Sequence, residues 1–216
     1  MILLLTALFL GFLHGLGPDH LMAIAALSLG SDAHGSTRRE RAVGVAVRFA
    51  VGHAVLLAAG AGLIVAIGWA IPSPVERGGE MLGGALLIVM GILTLQHLFA
   101  PPAFAKATAG KRASRLAHRA SHSHLPTMIG AAFAVSSLRA LAMLTPFGSD
   151  LGTAPLPLLL GLIAVFAVGI MASMVLFGVA LAGVLSMRAL QRLGHGAGAL
   201  VGVSSIVLGV AWLATA

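Results

Sequence analysis

The chain has 216 residues, of which 59% are hydrophobic and 9% are charged, with a formal net charge of +7. Soluble domains carry about 25% charged residues, so this chain cannot cover a water-exposed surface and is expected to be an integral membrane protein. It has no cysteine, which excludes disulfides and thiolate metal ligands. The basic residues lie in short loops between apolar stretches, a distribution that argues against nucleic-acid binding.

The apolar stretches predict an all-α polytopic membrane protein whose whole length, 1–216, forms one transmembrane domain. A helix needs about 20 apolar residues to cross the bilayer core. Six transmembrane helices are predicted, at about 2–30, 42–71, 78–100, 126–147, 155–186 and 195–215. The first is expected to be a retained membrane segment, because no Lys or Arg precedes its apolar run and no clear signal-peptide cleavage site follows.

The basic residues also predict the orientation of the chain. Most of the 13 Lys and Arg residues fall on one side of the predicted bundle, in the loops 31–48, 101–125 and 187–194. The positive-inside rule places these loops in the cytoplasm, with both termini outside the cell (inner) membrane. The basic, His-containing loop 101–125 joins a first half, 1–100, to a second half, 126–216. Three spans in each half predict a 3+3 inverted repeat.

The stretch "HGLGPDH", which begins at His14, places polar residues inside the first apolar segment. On a regular helix, Asp19 lies about 140° from His14 and His20 a further 100° round, so a straight helix cannot direct all three toward one ion. Pro18 has no N–H, and its ring clashes with the carbonyl four residues earlier, that of His14. The first helix is therefore expected to break near Gly17 and Pro18, leaving that carbonyl free and starting a new helical segment at Pro18.

The predicted break lies near the middle of the first span, where transporters with broken helices place their binding sites. An isolated charge such as that of Asp19 costs about 3 kcal/mol at this depth on insertion scales, and a divalent cation would offset that cost. Imidazole nitrogens suit nickel, cobalt, zinc and copper. His53, near the middle of the second span, is a candidate further ligand. The predicted metal site therefore comprises His14, Asp19, His20 and His53.

Other assignments of these polar residues stay open. The His–Asp cluster is alternatively a proton relay or a polar packing group, and a lone buried His such as His53 is more often a packing residue than a ligand. Arg139, within the fourth predicted span, is an alternative partner of Asp19, and Arg48 in the second span is another.

Two further sets of residues are secondary candidates. Ser136 and Ser137 are expected to line a cavity from the second half, or to bond only to backbone carbonyls. The loop histidines His118, His122 and His124 form a secondary candidate metal-binding group, although the basic residues around them repel cations.

The H-x4-D-H spacing of "HGLGPDH" and the segment "VGHAV" resemble the nickel/cobalt transporter family and its short, divergent branches of urease-accessory-type and metal-exporter-type permeases. The resemblance covers roughly residues 8–60. It implies that His14, Asp19 and His20 recognise the metal and that His53 assists. The chain departs from the better-known members, which have more spans and carry acidic, Thr-containing motifs where this chain has "SSLRALAMLTP".

These features together predict a non-enzymatic permease for nickel or cobalt, with the ion as transported substrate and no permanent cofactor. One alternative is an anion or small-solute exporter in which Arg139 and Arg48 bind the substrate and the His–Asp cluster relays protons. Another is an accessory membrane subunit for metalloenzyme maturation. No P-loop is present in the sequence. The expected partners are the metal ion and the lipid bilayer. The sequence does not decide whether the chain forms a homo-oligomer or binds a metallochaperone. It also leaves open the transport direction and the choice of metal.

Overall fold

The computed structural model describes residues 1–29, 36–67, 73–99, 124–137, 155–186 and 194–215. Every regular element in these ranges is an α-helix, which confirms the predicted all-α class. The helices are α1 (Ile2–Gly15), α2 (Pro18–Leu29), α3 (Ser36–Ile67), α4 (Ser73–Phe99), α5 (Leu125–Ser136), α6 (Leu156–Ser186) and α7 (Gly194–Thr215).

The lengths of the helices agree with a membrane-embedded protein. Four of them, α3, α4, α6 and α7, are long and apolar enough to cross a membrane, and α1 with α2 would add a fifth span as one bent pair. Helix α5 is apolar but has only 12 residues. The remainder of the predicted fourth span, and nearly all of the basic loop 101–125, lie outside the described residues. Six spans and a 3+3 repeat therefore stay predictions.

The break in the first helix is confirmed. Helix α1 ends at Gly15, α2 begins at Pro18, and the two axes are bent by 52°. The expectation of a free His14 carbonyl was wrong, because this carbonyl accepts the N–H of Gly17 at 2.9 Å. A chain that leaves a helix in a tight turn can supply N–H groups to the last carbonyls, and Gly17 does so here.

The helices pack in pairs around a core that contains the aromatic side chains. Helix α4 packs along α7, α3 packs along both α5 and α6, and α1 packs along α6. Phe49, Phe133 and Phe166 are all at most 1% exposed, and they lie in the same buried cluster. Large apolar side chains such as Val55 and Leu63 on α3 face outward, as expected of helices that contact lipid hydrocarbon.

Two glycines bring the backbones of α3 and α5 into contact. A Cβ atom on Gly130 of α5 would overlap the carbonyl of Phe49, and a Cβ on Gly52 of α3 would overlap the carbonyl of Thr127. Small residues permit this approach between membrane helices. Gly52 lies three residues after Phe49, and Gly130 lies three residues after Thr127.

The same arrangement occurs between α1 and α6. A Cβ on Gly11 of α1 would overlap the carbonyl of Phe166, and a Cβ on Gly169 of α6 would overlap the carbonyl of Leu8. The spacing of three residues is also the same. Moreover, the tetrapeptide "FAVG" occupies both 49–52 and 166–169. The two helix interfaces are thus built from matching Phe, Gly and carbonyl positions.

Candidate metal centre

The break between α1 and α2 brings three imidazoles together. His14 lies at the end of α1, His20 in the first turn of α2, and His53 in the middle of α3. Each offers one nitrogen, and these nitrogens lie within 4.8 Å of one another. The ring centroids are 5.0 Å apart for His14 and His20, 4.6 Å for His20 and His53, and 5.8 Å for His14 and His53. This His cluster could hold a metal ion.

Two of the three imidazoles are buried and His14 is partly buried, and two nitrogens of the cluster lack partners. His20 and His53 are 1% and 0% exposed. Among the described residues, nothing forms a hydrogen bond with the buried Nε2 atom of His14 or with that of His53. A buried polar atom without a partner costs about 1–3 kcal/mol. A bound cation would remove that cost.

The orientation of His53 is fixed from the opposite half of the chain. Its Nδ1–H donates a hydrogen bond to the carbonyl oxygen of Gly130 on α5, at 3.2 Å. Because a carbonyl can only accept, Nδ1 carries the proton and Nε2 keeps its lone pair in the neutral ring. The close approach of α3 and α5 at Gly52 and Gly130 makes this bond possible.

Asp19 orients His20 in the same way. Its Oδ1 lies 2.9 Å from His20 Nδ1, and both side chains are buried. A carboxylate accepts, so the imidazole donates from Nδ1 and its Nε2 keeps the lone pair. Metal-binding histidines commonly have such a carboxylate partner. Direct ligation by Asp19 stays a prediction, since the mutually close ligand atoms belong to the three imidazoles.

Gly17 leaves the space in which Asp19 and His20 meet. A Cβ on Gly17 would lie 2.6 Å from Asp19 Oδ1 and 2.9 Å from His20 Nδ1. Neither Gly15 nor Gly17 has a φ angle in the left-handed region. The lack of a side chain at Gly17, and not an unusual backbone angle, is therefore what the site uses.

Three buried phenylalanines surround the imidazoles, and the sequence analysis did not identify them. The aromatic rings keep water from the cluster, which strengthens every electrostatic interaction within it. A detectable signal was the position of Phe49, four residues and about one helical turn before His53. The ring centroids are 5.9 Å apart for Phe166 and His14, 6.2 Å for Phe49 and His53, and 6.2 Å for Phe133 and His20.

The serines predicted to line a cavity lie at the C-terminal end of α5. Ser137 Oγ is 3.4 Å from His20 Nε2, so a second group from α5 reaches the cluster. Ser136 Oγ donates to the carbonyl of Phe133 at 2.7 Å. Both serines are 4% exposed.

Of the remaining candidates, the structure describes Arg48 and His124. Arg48 is exposed on α3, and its role as a charge partner stays a prediction. His124 is the exposed N-cap residue of α5, at the far end of that helix from Ser137. Arg139, His118 and His122 lie outside the described residues.

The chain matches no protein-family model, no curated protein and no solved structure. The resemblance to nickel/cobalt transporters therefore stays an expectation from the motif. The chemistry of the site rests on the His cluster itself.

Proposed function

We propose that the chain is a membrane permease for a divalent transition-metal ion, nickel or cobalt, which binds as cargo among His14, His20 and His53. The observation that supports this most directly is the convergence of three imidazoles, two of them buried and one partly buried, at a broken helix within an apolar bundle. Imidazole ligands favour nickel, cobalt, zinc and copper over magnesium and calcium. The motif resemblance favours nickel and cobalt within that group.

Asp19 has an electrostatic role in this proposal. Three neutral imidazoles leave the full +2 charge of the ion in a site of low dielectric constant, where an uncompensated charge is costly. The buried Asp19 carboxylate, 2.9 Å from His20 Nδ1, lowers the net charge of the loaded site to +1. It also holds His20 with Nε2 available for the metal.

The proposed transport mechanism is alternating access between two inverted three-helix halves. The matching contacts of α3 with α5 and of α1 with α6, together with the repeated "FAVG", support such a repeat. In such a repeat α1 corresponds to α5 and α3 corresponds to α6. The contact between α1 and α6 then corresponds to the contact between α5 and α3. Rocking of one half against the other would expose the ion first to one side and then to the opposite side. The basic loops face the cytoplasm in this proposal.

The proposal is tested by metal uptake into proteoliposomes. Nickel, cobalt and zinc fluxes are measured for the wild type and for His14→Ala, His20→Ala, His53→Ala and Asp19→Asn. Each substitution removes a ligand or its charge support, so each should reduce nickel and cobalt flux by about 10-fold or more. Gly44→Ala in α3, where a Cβ meets nothing within 4 Å, is the control and should keep wild-type flux.

Folding is checked for every variant by its thermal unfolding midpoint in detergent. Full nickel and cobalt flux in all four site variants would overturn the permease mechanism. A wild-type protein that transports neither ion would overturn it equally.

A further inference from the structure

Ser137 is the point at which α5 reaches the metal centre. Helix α5 ends at Ser136, and Ser137 is its C-cap residue. The Ser137 Oγ atom lies 3.4 Å from His20 Nε2, and the residue is 4% exposed. Its hydroxyl also donates a hydrogen bond to the carbonyl of Phe133 at 2.9 Å.

The Ser137 hydroxyl lies within reach of two acceptors, the carbonyl of Phe133 and the Nε2 atom of His20. The Phe133 carbonyl, at 2.9 Å, is the nearer of these two acceptors, and a hydroxyl proton donated to it leaves the Ser137 oxygen lone pairs for the cluster. His20 donates from Nδ1 to Asp19, so its Nε2 also presents a lone pair. With the proton in that position, the lone pairs of Ser137 Oγ and His20 Nε2 face each other, an arrangement that a positive charge beside them would stabilise. The unpartnered Nε2 atoms of His14 and His53 lie in the same cluster.

We propose that Ser137 Oγ is an oxygen ligand of the transported ion, which completes a set of three imidazole nitrogens and one hydroxyl oxygen. This inference rests on the proposed function. Three nitrogens and one neutral oxygen suit a borderline divalent ion, whereas Cu(I) prefers thiolate or thioether sulfur. Because the three imidazoles come from α1–α3, the ion would be the bridge between those helices and α5.

Ser136 provides a matched control for Ser137. It is the preceding residue, it is equally buried, and its hydroxyl donates to the same Phe133 carbonyl. Its side chain lies instead against Gly83 of α4, where a Cβ would meet Ser136 Cβ at 2.7 Å and Ser136 Oγ at 2.9 Å. Substitutions at the two serines therefore affect equally buried positions, but only those at Ser137 alter a group that reaches the proposed ion.

The test uses the absence of cysteine from the chain. In Ser137→Cys, the new sulfur replaces the proposed oxygen ligand, and cobalt(II) bound to the purified protein should show a thiolate-to-cobalt charge-transfer band in the near ultraviolet. Ser136→Cys should bind cobalt without that band. Ser137→Ala should weaken cobalt binding about 10-fold, the lower end of the range for lost metal-site partners. Ser137→Thr, which keeps the hydroxyl, should restore it.

The outcomes separate this inference from the proposed function. Cobalt binding by the wild type with no charge-transfer band in Ser137→Cys, or with the band in both cysteine variants, overturns the role of Ser137 alone. If Ser137→Cys does not fold, equal cobalt affinity in Ser137→Ala and Ser137→Thr overturns it instead. A folded wild-type protein that binds no cobalt overturns the metal site as a whole.

Discussion

Replacement of Gly17 by alanine tests how the metal centre is oriented. The new Cβ would lie 2.6 Å from Asp19 Oδ1, 2.9 Å from His20 Nδ1 and 3.1 Å from the carbonyl oxygen of His14. Carbon atoms need roughly 3.5 Å from their non-bonded neighbours. The Asp19 carboxylate must therefore move by roughly 1 Å, which breaks its 2.9 Å hydrogen bond to His20.

The size of the effect follows from that hydrogen bond. A hydrogen bond to a charged group contributes about 1.5–3 kcal/mol, and about 1.4 kcal/mol corresponds to a tenfold change in an equilibrium constant. Gly17→Ala should therefore weaken cobalt binding about 10- to 100-fold. The thermal midpoint should change little, because the group displaced first is the end of the Asp19 side chain.

Cobalt titration of purified protein in detergent measures this effect. Gly44→Ala is the control, because a Cβ on Gly44 in α3 meets nothing within 4 Å, and its affinity should equal that of the wild type. In an Asp19→Ala background the contact with the carboxylate is gone and only the contacts with His20 Nδ1 and the His14 carbonyl remain, so Gly17→Ala should cause a smaller loss than in the wild type. Wild-type affinity in Gly17→Ala, or an equal loss in both backgrounds, would refute the reasoning.

Three further predictions concern packing, burial and proton competition. Gly130→Ala puts a methyl group against the backbone of α3 at Phe49, so both the thermal midpoint and the cobalt affinity should fall. Gly161→Ala, where a Cβ meets nothing within 4 Å, is the control and should leave both unchanged. A Gly130→Ala protein as stable as this control would contradict the packing argument. Phe166→Ala should lower the free energy of unfolding by about 3–5 kcal/mol, the usual cost of truncating a buried phenylalanine. Chemical denaturation measures this change. A loss below about 1 kcal/mol would count against tight packing of Phe166 around the imidazoles. Cobalt binding should weaken as the pH falls, because protons compete with the metal for the imidazole lone pairs; equilibrium binding across the pH range tests this, and a flat profile would argue against imidazole ligands.

The features that depend on local covalent chemistry were predictable from the sequence. Pro18 lacks an N–H, and this alone fixes a helix boundary within one or two residues. The approach of His53 to His14 and His20 was also predictable, because successive spans joined by a short loop are neighbours. The hydrogen bond from Gly17 N–H to the His14 carbonyl was not predictable, since it depends on a turn that only the folded chain shows.

The features that depend on packing between distant segments were missed. Phe133 and Phe166 lie far along the chain from the histidines, and no local pattern links them to His14 or His20. The matching glycine contacts escaped notice for a similar reason. The shared segment "FAVG" is only four residues long, and its structural role is visible only when Gly52 and Gly169 are seen against backbone carbonyls.

The contact between His53 and Gly130 also has a consequence for biogenesis. The two residues are separated by 77 positions in the chain. At a synthesis rate of about 5–20 residues per second, the imidazole is made roughly 4–15 s before the carbonyl that orients it. During that interval the Nδ1–H group of His53 lacks the partner that it has in the folded chain. Insertion of α5 thus supplies that partner, and α6, which carries Phe166, completes the aromatic enclosure afterwards, so the order of translation sets the order in which the polar groups of the centre are shielded.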